Sequence, residues 1–240
     1  MSVEDSGLES LRDNATLAMR MAAQLRERII DGRIEPGAHL TEIDLSKVFG
    51  ASRTPIREAL ALLEAEGMVE LSPRRGARVS TIDPSDVADL YACRMWIYGL
   101  AANLAAANRT ESDLAEFDAI HRTMTEMSPE REDFSKVSPF VDFNDLLVEV
   151  ARNDILRQLL VPLRARSLRL RNQSISLSGR LETATGFYAS ILDSIVSRDG
   201  ATAEVYLRRA IAEAGDALLR QYFKLDPSEA DKLTPLRLLA

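Results

Sequence analysis

Apolar positions recur at helical spacing along most of the chain. Leu17, Met21, Leu25, Ile29 and Ile30 lie three to four residues apart and predict a helix from about Ala15 to Ile30. Asp31-Gly32 stops it, and Glu35-Pro36-Gly37 makes a turn. Thr41 then reads as an N-cap with Asp44 three residues on, a loose capping box opening a short helix that ends near Val48. Phe49-Gly50-Ala51 is a tight connection. A third helix starts around Ser52 to Thr54 with Pro55 in its first turn, where a missing N–H costs nothing, and Gly67 caps its far end. Met68 to Leu71 and Ala77 to Ser80 are short β-like runs around a Pro/Gly turn and predict a hairpin. Beyond Pro84 the periodicity is helical throughout, with helices over about 85–107, 111–127, 139–151, 153–176, 181–198 and 201–223; Thr110 caps the second, Pro129 and Pro139 interrupt before the third, and Ser178-Gly179 breaks before the fifth.

The fold class expected is therefore mainly α: a helix-turn-helix unit of three helices plus a β-hairpin, then an all-α bundle. The boundaries drawn are a flexible N-terminus over 1–14, the first domain over 15–80, a linker over 81–85, the bundle over 86–226 and a weakly ordered tail over 227–240. A single cysteine, Cys93, excludes an internal disulfide framework and suits a reducing cytosol. The polar, acidic start of the chain is not a signal peptide, and no apolar run is long enough for a membrane span.

The net charge of −7 argues against a nucleic-acid partner only globally. Between Lys47 and Arg78, six basic residues (Lys47, Arg53, Arg57, Arg74, Arg75, Arg78) stand against four acidic ones (Glu58, Glu64, Glu66, Glu70). Arg53 and Arg57 are four apart, so they share one face near the start of the third helix, the end that enters the major groove in helix-turn-helix proteins. Arginine can bond guanine O6 and N7 bidentately. Ser52 and Thr54 at the helix start can hold a phosphate, and Arg74, Arg75 and Arg78 at the hairpin tip can add phosphate or minor-groove contacts. The plainer alternative is a solvated amphipathic helix and a charged loop.

From Ala22 to Ser80, with Gly32-Arg33-Ile34-Glu35-Pro36-Gly37, Ser52-Arg53-Thr54-Pro55-Ile56-Arg57-Glu58-Ala59-Leu60 and Gly76-Ala77-Arg78-Val79, the chain resembles the GntR winged-helix regulators. The resemblance implies DNA recognition by Arg53 and Arg57, with a wing over Arg74 to Arg78. Some members carry a further basic contact at the position of Ile43, which Ile43 cannot supply. The second half resembles the helical FCD domain of the FadR-like branch through Asp89-Leu90-Tyr91-Ala92-Cys93-Arg94, Val150-Ala151-Arg152-Asn153 and Ile191-Leu192-Asp193-Ser194-Ile195 followed by Arg198-Asp199. Many such domains bind a divalent metal through an Asp and three His. Those positions align here with Phe140, Asn144, Tyr188 and Ala210, none a good ligand, so no metal and no other cofactor is expected. The only histidines, His39 and His121, read as surface residues.

Arg94 lies on the stripe Val87, Tyr91, Arg94, Tyr98, Ala101 and Ala105, an otherwise apolar and aromatic face. An arginine facing a core must be paired. Its partner is either a protein carboxylate or an anionic ligand. Asn144 and Tyr188 also fall on apolar stripes, so Arg94, Tyr98, Asn144 and Tyr188 are the candidate effector-binding residues of a cavity. The run Arg164, Arg166, Arg169 and Arg171 reads as a solvated or dimer-facing surface, and Cys93 as a small buried residue. No phosphate loop, nucleophile elbow or metal cluster points to an enzyme. The reading is a cytoplasmic, homodimeric regulator, a repressor, that binds an inverted-repeat DNA operator and responds to a small anionic effector without a metal, with no membrane partner. The alternative is a regulator whose helical domain only dimerises.

Overall fold

The computed structural model describes residues 3–72, 76–127 and 138–239, and in these the chain divides into two compact units, Met1–Thr81 and Ile82–Ala240. Arg74, Arg75 and Pro129, singled out above, lie outside the described residues.

In the first unit, α1 (Val3–Ile30) packs on α3 (Arg53–Ala65), with α2 (Glu42–Phe49) against α3. The helix begins at Val3, not near Ala15, so residues 3–14 are helical rather than a flexible lead. Once the turn around Leu17 to Ile30 is nucleated, each further residue adds a hydrogen bond at low cost. Met21, Leu25 and Ile29 of α1 and Ile56, Leu60 and Leu63 of α3 are buried together with Leu45 of α2. Thr41 caps α2, its hydroxyl accepting from the Asp44 N–H at 3.1 Å, and Gly50 ends it in the left-handed region at φ 62°. Arg26 of α1 grips Glu66 beyond the end of α3 through Nε at 2.7 Å and Nη2 at 2.5 Å, a fork that fixes the two helices' register.

The hairpin is part of a three-stranded antiparallel sheet. β1 (His39–Leu40) pairs with β3 (Gly76–Val79), which pairs with β2 (Val69–Ser72), giving the order β1-β3-β2. A two-residue strand carries too little alternation to be read from sequence. Gly76 is the point where β3 leaves the wing tip: it sits at φ +85°, and a Cβ there would run into the Leu40 carbonyl oxygen.

The second unit is a helical bundle. Its most extensive helix pair is α4 (Pro84–Asn108) with α9 (Gly200–Ala217), and around this pair lie α5 (Glu111–Thr125), α6 (Ser138–Val150), α7 (Asp154–Ile175) and α8 (Arg180–Val196). Thr110, Asn153 and Asp199 cap α5, α7 and α9 by accepting from the N–H three residues on. Arg198, at φ 59°, donates to the Ala107 and Arg109 carbonyls at the end of α4, while Arg109 donates to the Val196 and Ile195 carbonyls at the end of α8. The two arginines thus satisfy each other's helix ends. After α9 a π-helical turn (Leu218–Tyr222) leads to α10 (Pro227–Leu233) and a 3₁₀ turn (Pro235–Leu238). The tail is therefore ordered, contrary to expectation. Ala230 and Pro235 are buried, and Arg220 bonds both Asp216 of α9 and Asp231 of α10.

Gly76→Ala forces both an unfavourable φ and a backbone overlap, and should destabilise the first unit by about 1–3 kcal/mol. Urea denaturation followed through that unit's helical signal checks this; an unchanged midpoint would show that the wing is not built on that close approach.

Candidate nucleic-acid interface and ligand cavity

The buried side of α3 (Pro55, Ile56, Ala59, Leu60, Leu63) fixes it to the core and leaves Arg53, Thr54 and Arg57 exposed. Ser52, the N-cap, makes no side-chain capping bond, and the first turn holds no acidic residue. The helix start therefore offers free N–H groups and hydroxyls to an anion. Arg57 Nε donates to Glu42 Oε1 of α2 at 2.7 Å. That bond holds the Glu42 carboxyl below its usual range and raises Arg57, and the nearby Arg53 charge lowers Glu42 further. Arg78 lies within the β3 ladder, not at the wing tip, because the strand already starts at Gly76. It stands opposite Glu70 and His39, and its Nε donates to the Gly37 carbonyl at 3.0 Å. Ile43 is exposed.

In the second unit, the stripe from Val87 to Ala105 is buried as its spacing predicts, and Arg94 is only 3% exposed. Its guanidinium lies 4.6 Å from the Tyr91 ring centroid and 5.7 Å from that of Tyr98. Among the described residues no carboxylate pairs with it, and its Nε and Nη1 have no hydrogen-bond partner. Burial pushes Arg94 below its ordinary pKa, and the neighbouring Arg171 adds to that. A cavity of about 50 Å³ opens beside it. Tyr91 and Arg94 of α4, Phe140 of α6, Arg171 and Ser174 of α7, Arg180 and Tyr188 of α8 and Ala210 of α9 all line it.

Of the four candidate effector residues, Arg94 and Tyr188 line this cavity directly. Asn144 is fully buried behind them and donates through Nδ2 to the Tyr188 hydroxyl at 2.7 Å, which leaves the phenol proton free to donate. The Tyr188 ring stacks edge-on against Phe140 and Phe143, both at 5.1 Å, and burial raises its pKa. Tyr98 does not line the cavity. It backs Arg94 from the other side and borders a separate groove with Asp145, Arg157 and Arg164.

Two arginines were not anticipated as cavity residues. Arg171 is buried, not solvated like Arg164 and Arg166; its Nη2 donates to the Phe140 carbonyl at 2.8 Å and its Nη1 is without a partner. It shares a buried stripe with Leu160, Ser167 and Ser174 that the run of four arginines masks. Arg180 opens α8 and lies 3.8 Å from Glu213, with Nε unbonded; burial lowers its pKa, and Glu213 opposes that. It stands one turn before the Ala184–Tyr188–Ile191 stripe, so extending that stripe backwards would have found it. Cys93, on the outer side of α4, is exposed rather than buried.

Phe140, Tyr188 and Ala210, three of the positions aligned with metal ligands, do meet at the cavity, with Asn144 directly behind. A divalent cation does not fit them. They offer a phenyl ring, a phenol held protonated by burial, a methyl and an amide, next to three guanidinium groups that would repel it.

Residues 17–79 match the model for bacterial regulatory proteins of the gntR family, and residues 89–213 match the FCD domain. The HTH-type transcriptional regulator YdhC of Bacillus subtilis is 32% identical over 138 residues, 57% of this chain and 62% of YdhC. The matched stretch thus spans less than two thirds of that relative. The HTH-type transcriptional repressor RspR of Escherichia coli is 26% identical over 81% of this chain and 85% of its own. Among solved structures, E. coli McbR/YncC superposes with a TM-score of 0.73 at 21% identity, covering 86% of this chain and 98% of that one, a likeness of fold.

An unpaired buried charge destabilises the ligand-free protein. Replacing Arg94 by the similarly long, uncharged Met should leave the unfolding free energy unchanged or raise it, by about 1–3 kcal/mol. Urea denaturation in chloride buffer measures this, and a loss of that size would show that Arg94 has a structural partner.

Proposed function

Because the chain belongs to the GntR family of bacterial regulatory proteins and carries an FCD domain, we propose that it is a sequence-specific DNA-binding transcription regulator whose operator affinity is set by a small anion held in the helical unit without a metal. The observation that carries the effector half is Arg94, buried with two N–H-bearing atoms unbonded and no carboxylate beside it among the described residues. A protein counter-charge was the plainer possibility for Arg94, and its absence there favours a ligand. Tyr188, its hydroxyl proton freed by Asn144, is a second donor. Tyr98 holds the Arg94 guanidinium from behind.

The DNA half rests on α3. Arg53 and Arg57 read base edges in the major groove, while Ser52, Thr54 and Arg78, with Arg74 and Arg75 of the wing, hold phosphates. In the free protein Arg57 is parked on Glu42, so recognition exchanges that bond for a base. Repression is the proposed direction, by likeness to RspR. The protein acts as a cytoplasmic homodimer on an inverted repeat, since two-fold assembly sets paired half-sites one helical turn apart. The helical unit exposes Trp96 and Leu100, four residues apart on α4, apolar surface that a lone subunit leaves in water. Among the described residues no helix is long and apolar enough to cross a bilayer. Binding of the anion shifts the dimer between two arrangements by no more than its differential affinity for them.

Fluorescence anisotropy on operator DNA tests the assignment. Arg53→Ala and Arg57→Ala should each weaken specific binding by about tenfold to a hundredfold, and Arg75→Ala should weaken specific and non-specific DNA alike. Sedimentation of the complex should give two chains per operator. Wild-type affinity in the Arg53→Ala/Arg57→Ala double variant at moderate salt, or one chain per site, would contradict the reading.

A further inference from the structure

Three guanidinium groups from three helices meet at one cavity: Arg94 of α4, Arg171 of α7 and Arg180 at the start of α8. Among the described residues a single carboxylate answers them, Glu213, 3.8 Å from Arg180 and shared with Arg209, which bonds it at 3.0 Å. Asp216 also acts on Arg180, but it is held by Arg220 at 2.9 and 3.0 Å. The rest of the lining is uncharged at neutral pH. Arg94 and Arg171 are thus left without a counter-charge, both of them buried.

The unbonded donors are distributed in the same way. Nε and Nη1 of Arg94, Nη1 of Arg171 and Nε of Arg180 all lack partners. Nε and Nη1 of one guanidinium lie on different edges of the group, so one carboxylate cannot serve both as a fork. The other two donors come from different helices. A monoanion would leave one buried charge and part of this donor set unanswered.

Building on the effector reading above, we propose that the ligand is a compact dianion, either two carboxylates on a short chain or a phosphate monoester, clamped between Arg94, Arg171 and Arg180. Its two negative charges match the two uncompensated positive ones. Its oxygens, set on more than one side, reach donors that a single acid group cannot. The phenol proton of Tyr188 supplies a neutral donor for a third oxygen. Glu213 keeps Arg180 oriented in the empty site and disfavours a trianion.

The test is calorimetric titration of the full-length protein, at constant ionic strength, with succinate, glutarate and glycerol phosphate as dianions, acetate and butyrate as monoanions, and dimethyl succinate as the uncharged control. At least one dianion should bind about tenfold or more tightly than either monoanion, and the diester should not bind. Which arm binds identifies the source, carboxylate or phosphate. Arg171→Gln and Arg180→Gln should each weaken the dianion about tenfold or more and the monoanions much less, while Cys93→Ser, outside the cavity, should change neither. Because a glutamine variant can lose fold as well as charge, Arg180→Lys, which keeps the charge, should recover part of the dianion affinity. If acetate or butyrate binds as tightly as every dianion, and Arg94→Met abolishes it, the dianion proposal falls and the anionic-effector reading stands. If no anion in the panel binds to the folded protein, both fall.

Discussion

A positive charge buried on the central helix of a bundle is expensive. Removing a guanidinium from water costs several kcal/mol even after relaxation. Here Arg94 sits between Tyr91 and Tyr98, whose ring faces return about 0.5–2 kcal/mol each. The rings do not close the gap, and they offer no acceptor in place of lost water. The surrounding architecture keeps the charge where it is. Tyr91 is wedged against Gly215 of α9, where a Cβ would lie 3.0 Å from both Tyr91 and Pro235, so the C-terminal 3₁₀ turn helps form the wall behind the ring. The ordered tail is thus part of what positions Arg94, and Arg220 ties that tail down through Asp216 and Asp231.

The same logic of charge held in readiness appears in the first unit, under different solvation. Arg57 is exposed and paired with Glu42, so its bond exchanges easily and is screened by salt. Arg94 is sealed, so whatever answers it must enter the cavity and desolvate. On the DNA-binding role proposed for Arg57, such a surface pair suits fast, reversible sampling. A buried, unanswered arginine suits a site that discriminates by charge, because a neutral molecule leaves the guanidinium as poorly solvated as before. Stability given up at such a position is a common mark of a binding site.

How legible this was in the sequence depended on how far each signal is local. The α4 stripe could be read at single-residue level because every member is held by one helix period, and Arg94 stood out as the one charged residue on it. Asn144 and Tyr188 were placed on inward faces by the same reasoning. That they bond each other, 44 residues apart in the chain, is a fact of tertiary packing. Arg171 was hidden by its neighbours: four arginines within eight residues look like a solvated face, and only the packing of α7 on α4 and α9 separates the buried one from Arg164 and Arg166. Tyr98 was correctly inward but lies two turns along the helix from Tyr91 of the cavity wall, a displacement along the axis that periodicity does not resolve. Cys93 was misjudged from its residue type, although it follows Tyr91 and precedes Arg94 on the opposite side of the helix. The two-residue strand β1 and the helical start of α1 fell below what pattern length can decide.

The central claim is that the Arg94 guanidinium has no anionic partner until a ligand arrives. Nitrogen-15 NMR of arginine side chains, with Arg94 assigned by comparison with Arg94→Met, reads this directly. In the protein without added anions, the Arg94 Nε–H should show the shift of a group stacked on aromatic rings and not bonded to a carboxylate. Adding a dianion that binds should move it downfield and slow its exchange with water. An Arg94 resonance already bonded to a carboxylate in the ligand-free protein, and unmoved by any bound anion, would contradict the account.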